Sequence, residues 1–167
     1  MELRDVRPLG NGGGSNRSCG GNLSKSVRAS HPRVTVLIDL ENFLHGSKGL
    51  LSPEHARPFL SKAMRAIPDS GHCIAVAPAR VIGRYVSLLH ELSISTAVVP
   101  PGPNAADLAL LEQAEHLASI GYQRFVVLSG DHIFSELSKA FPTTVIVRHN
   151  KSLARALKEA AASVVGD

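Results

Sequence analysis

The stretch Val34-Thr-Val-Leu-Ile-Asp-Leu-Glu-Asn-Phe43, VTVLIDLENF, sets the fold class. Its first five residues are apolar or β-branched without a break and end on a carboxylate. A continuous run of this kind suits a strand buried on both faces, since a strand with one wet face would alternate apolar and polar residues. Four further runs share the character: CIAVAP (73–78), SISTAVV (93–99), RFVVLSG (124–130) and TTVIVR (143–148).

Helical patterns fill the gaps. Ser52-Pro53-Glu54 places an N-cap before Pro at the first helical position, with Ala56, Phe59, Leu60, Ala63 and Ile67 on one face. Further helices are predicted over about 79–91, 105–119 (closed by Gly121), 132–140 and 151–164. Five strands alternating with five helices predict an α/β domain: a five-stranded parallel sheet between two helical layers, Rossmann-like, in the order 3-2-1-4-5.

Composition narrows the function classes. The 167 residues suit one domain, and 44% hydrophobic content supports a core. With no Trp, two Tyr and five Phe, the chain lacks the rings of a base-stacking platform. Two cysteines and scattered histidines give neither a disulfide framework nor a zinc cluster. The start has no apolar signal core, and no run reaches the ~18 residues of a membrane span, so a cytoplasmic protein is expected.

The net charge of +4 lies wholly in residues 1–33, where six Arg and Lys face two acids; residues 34–167 carry twelve of each sign. Residues 1–32, which include GNGGGSNRSCGGNLS, read as a disordered, basic, Gly/Ser-rich tail, and residues 33–167 as the domain. The glycines of the tail do not join a strand to a helix and make no phosphate loop.

Three aspartates fall at one edge of the predicted sheet. Asp39 ends the first strand, Asp131 follows the fourth, and Asp107 opens the helix after the third. In open parallel sheets ligands bind beyond the carboxyl ends of the strands, where strand order reverses. Adjacent strands lie about 4.8 Å apart, so Asp39 and Asp131 can approach closely. Clustered carboxylates favour a hard cation, Mg²⁺ or Mn²⁺. Each has a plainer role open to it: Asp131 as a helix cap, Asp107 as an acid in the first turn of its helix. A haloacid-dehalogenase-like site wants D-x-D, and the third position here is Glu41; no nucleophile elbow is present.

VTVLIDLENF resembles the opening strand of NYN-domain proteins, which are similar to PIN-domain nucleases. Asp39 and Asn42 match that family's D-x-x-N signature. AADLALLEQA resembles its Asp-bearing helix at Asp107, and FVVLSGDHIF its S-G-D segment at Ser129 and Asp131. The resemblance covers about residues 34–160. It implies a metal-dependent endoribonuclease with Asp39, Asp107 and Asp131 as catalytic metal ligands, Asn42 orienting ligand or substrate, and Ser129 supporting the Asp131 loop. Arg148, at the end of strand five, and Lys151 are candidates for holding RNA phosphates. The expected partner is single-stranded or structured RNA, with a homo-oligomer possible. The chain departs from the family at Ile133, where many relatives carry another acid. That favours the alternative, a catalytically silent RNA-binding or protein-interaction module.

Overall fold

A computed structural model describes residues 33–67, 70–149 and 153–166. The predicted tail, 1–32, and Lys151 lie outside the described residues. Among the described residues eight strands and six helices follow in the order β1 (Val34–Asp39), α1 (Leu40–Leu44), β2 (His45–Gly46), β3 (Gly49–Leu50), α2 (Pro53–Arg65), β4 (Ser70–Pro78), α3 (Ala79–Glu91), β5 (Ser95–Val99), α4 (Ala105–Ser119), β6 (Arg124–Leu128), a 3₁₀ turn (His132–Phe134), α5 (Ser135–Ala140), β7 (Thr143–Ile146), α6 (Arg155–Ala160) and β8 (Ser163–Val165). Strands β2 and β3 form a small antiparallel hairpin. The others make one sheet in the order β5-β4-β1-β6-β7-β8, with every neighbouring pair parallel.

The five-stranded prediction, with its order 3-2-1-4-5, is corrected here: the sheet has six strands and continues past β7 to β8. The Ala-rich stretch after Arg155 favours helix, but α6 stops at Ala160 and the chain extends. Ala162 N–H donates to Thr143 O at 2.9 Å, and Val147 N–H donates to Val165 O at 2.9 Å. The β-branched pair Val164–Val165 thus completes the ladder beside β7. Val164, predicted on a helix face, packs as a strand residue against the core.

β1 is the middle of the molecule, paired to β4 on one side and β6 on the other. Its side chains alternate between two cores. Val36 and Ile38 enter one with Leu60, Tyr85 and Leu89 from α2 and α3. Leu37 enters the other with Leu110, Leu137 and Leu157 from α4, α5 and α6. Helices therefore cover both faces, which is why β1 has no polar side of its own. Tyr85 fixes the entry to α2 by donating its phenol to Leu51 O at 2.5 Å. α4 ends at Gly121, where φ of +99° suits glycine. There Gly121 N–H and Tyr122 N–H close onto Ala118 O and Leu117 O, at 3.1 and 3.0 Å. With both ends of each layer fixed, the carboxyl ends of β1, β5 and β6 are held at one edge.

Candidate active site at the carboxyl edge of the sheet

Asp39 is the last residue of β1 and caps α1, accepting from Asn42 N–H at 3.2 Å on Oδ1. Its other oxygen accepts from the Ser129 hydroxyl at 3.2 Å. Ser129 Oγ in turn accepts from Asp131 N–H at 3.2 Å, and Gly130 N–H donates to Asn42 Oδ1 at 3.2 Å. Two of these bonds, Ser129 to Asp39 and Gly130 to Asn42, clamp the S-G-D loop to the end of β1 and the start of α1, and with the Asn42 N–H bond they fix Asp39 in one orientation. Ser129 is only 1% exposed, a burial that suits a loop-supporting role better than contact with substrate. It is a positioning residue, its hydroxyl held between Asp39 and the Asp131 backbone.

Asp107 projects from the first turn of α4, and both carboxyls are buried: Asp39 is 5% exposed and Asp107 8%. The two are within hydrogen-bonding reach of one another. Burial, then repulsion from Asp107, pushes Asp39 up to about 7 from 3.8, against the bonds from Asn42 and Ser129. Burial also raises Asp107, helped by the nearby Asp131 and opposed by the bond shared with Asp39. One proton is thus shared across the pair near neutrality. Asp107 Oδ1 is buried with no hydrogen-bond partner.

Asp131 is placed differently. It caps the 3₁₀ turn, its Oδ1 accepting from Ile133 N–H at 3.1 Å and lying 2.9 Å from His132 Nδ1. Among the described residues, no three His, Cys, Asp or Glu side chains converge closely enough to hold one ion. The predicted direct ligand set of Asp39, Asp107 and Asp131 is therefore not assembled in this structure. The donors fit a hard cation nonetheless. Mg²⁺ keeps several waters and takes one or two carboxylates. Two buried acids with an orphaned oxygen provide that number.

A cleft of about 700 Å³ opens from the Asp39–Asp107 pair toward β4 and β5. Its walls include Glu41, Arg80, Pro101 and Asn104. Periodicity alone reads Arg80 as a solvated helix residue. Glu41, on the first turn of α1, joins the cleft lining. Pro101 comes from the proline-rich loop 100–103 that precedes α4.

Arg148 lies elsewhere. Its guanidinium packs 5.5 Å from the Phe59 ring and donates to His45 O, lining a small separate hollow with Asn42 and Gly130. Arg155 pairs with Glu159 at 2.7 Å on the surface.

Ile133 packs half-buried against the second core, beside Phe134 and Leu137 in that cluster. Ile133→Asp is thus expected to destabilise the fold by roughly 1–3 kcal/mol without tightening Mn²⁺ binding. Urea unfolding with Mn²⁺ titration checks this. Tighter binding without destabilisation would mean the residue stands where a ligand belongs.

No helix among the described residues is long and apolar enough to cross a membrane. Comparison with protein-family models and with curated proteins returns no match. Among solved structures, the chain is similar to a protein of unknown function from Vibrio parahaemolyticus. The TM-score is 0.64 at 16% identity, covering 81% of this chain and 92% of that one. At that identity the likeness is one of fold, an α/β domain with a parallel central sheet flanked by helices.

Proposed function

We propose that this is a divalent-metal-dependent endoribonuclease of the PIN-like kind, hydrolysing RNA phosphodiester bonds at the carboxyl edge of the sheet. One observation carries the reading: two buried carboxyls meet where the central strand ends and α4 begins, one with an orphaned oxygen, and both line a large cleft. Such an acidic site repels RNA unless a cation's own charge is counted. Asp39 and Asp107 would hold Mg²⁺ or Mn²⁺, which when bound supplies Lewis-acid polarisation of the phosphoryl group.

The chain's own residues do the rest. Asn42 and Ser129 keep Asp39 in one rotamer, so that no reorganisation is needed on binding. Asp131 adds negative field while anchoring its loop. Exclusion of bulk water from the floor follows from the burial of Asp39 and Asp107, and strengthens their hold on a cation.

The alternative, a non-cleaving RNA-binding module, is favoured by the lack of a converging three-acid group among the described residues. One assay separates the two. Single-stranded RNA incubated with Mn²⁺ or Mg²⁺ should be cut internally by the wild type and spared when chelator is present. Asp39→Asn should reduce the rate by about 100-fold or more, since even outer-shell changes at metal sites cost 10–100-fold. RNA that binds but stays whole in every metal would establish the silent module instead.

A further inference from the structure

The cleft beyond the two aspartates has a feature of its own. It lies between the first turns of two helices, α3 at Pro78–Val81 and α4 at Asn104–Asp107. Neither helix is capped by a side chain: Pro78 has none to offer, and Asn104, at φ of +57°, makes no cap bond. An uncapped helix start presents backbone N–H groups and the positive end of the dipole. Arg80, on the first turn of α3, is exposed and makes no hydrogen bond or ion pair with any described residue. Asp107, more than nine-tenths buried with Oδ1 unpartnered, closes the opposite end of the same cleft.

The cleft thus carries acids at Asp39, Glu41 and Asp107 and a cation, Arg80, at the start of α3. That polarity suits a phosphodiester strand, with one phosphate at a cation on the acids and its neighbour on the helix start. We propose that this cleft is a nucleotide subsite, in which Arg80 and the start of α3 bind the phosphate adjacent to the one being cut. This inference rests on the nuclease reading and adds which way the strand runs from the acids. About 700 Å³ falls within the usual range for ligand pockets, roughly 300–1,000 Å³. Val81, Val99 and Pro101 give apolar walls without an aromatic ring, so a base is sheltered there with little selection among the four.

The test uses a short fluorescent oligouridylate bound in Ca²⁺, followed by cleavage in Mn²⁺. Arg80→Ala should weaken binding about tenfold and lower the salt slope by about one charge. It should raise KM more than it lowers kcat. Arg80→Lys should keep the slope. Arg84→Ala, whose guanidinium donates to Leu50 O at 3.3 Å outside the cleft, should behave as wild type. An oligocytidylate should bind like the oligouridylate. If Arg80→Ala binds and cuts like the wild type while Asp39→Asn is dead, the subsite falls and the nuclease stands. If the wild type binds through Arg80 but never cuts, the nuclease reading falls, and Arg80 stands as a phosphate contact of a non-cleaving cleft. Failure of the wild type to bind at all overturns both.

Discussion

In metal-free buffer the protein should lose on the order of 4 kcal/mol of stability between about pH 4 and pH 7, and Asp39→Asn should abolish most of that loss. The sign follows from Asp39. Its folded pKa, about 7, stands above the 3.8 of the free side chain. Across that interval the folded protein binds a proton that the unfolded chain has released, so raising the pH favours unfolding. The penalty is absent below the unfolded value and complete above the folded one. Asparagine carries no charge to bury and keeps an oxygen for Asn42 N–H. It loses the bond from Ser129, worth about 1 kcal/mol. Above about pH 7 the variant should therefore be more stable than the wild type by roughly 3 kcal/mol. Urea unfolding across the interval, in chelator, measures this directly. A flat wild-type profile would show that the two carboxyls do not share a proton. A buried carboxyl pair that opposes stability in this way is what the proposed cation site predicts in the absence of its cation.

The sequence carried the central strands because burial on both faces leaves a strong, unbroken apolar record, as in VTVLID and RFVVL. It also located the acidic edge, since a strand ending on Asp39 can only place that carboxylate at the rim. Three things were hidden for physical reasons. Strand β8 is three residues long and follows an Ala-rich run, so its extended form depends on the ladder with β7 rather than on propensity. The full burial of Ser129 comes from the packing of its loop against β1, a long-range contact with no local sequence signal. The cleft role of Arg80 and Glu41 is invisible to periodicity, which describes which face of an element a residue takes but not what another element brings opposite it. The loop 100–104 turns that exposed helix start into a cleft wall, and the pairing is long-range. Asp131 shows the reverse: the sequence placed it correctly at the edge, yet its carboxylate is committed to Ile133 N–H.

Saturating Mn²⁺ should stabilise the wild type by about 2.7 kcal/mol at 100 times its dissociation constant, a rise of roughly 10 °C in Tm for a domain of this size. Which aspartates carry that gain distinguishes a two-carboxylate site from a three-carboxylate one. Asp39→Asn and Asp107→Asn each remove a buried donor and should eliminate the shift. Asp131→Asn should retain most of it, because Asp131 caps its own turn and meets the pair only through its field. The proton shared by Asp39 and Asp107 must leave for the cation to enter. Below about pH 7 the apparent Mn²⁺ affinity should therefore fall by up to tenfold per pH unit. The two linkages have opposite signs in one protein: rising pH weakens the metal-free fold and strengthens the metal-bound one. Differential scanning calorimetry with and without Mn²⁺ at several pH values resolves both. A melting temperature indifferent to Mn²⁺ at high pH would remove the cation site altogether. Loss of the shift in Asp131→Asn as complete as in Asp39→Asn would instead make Asp131 a direct ligand, requiring its loop to release Ile133 N–H when the cation binds.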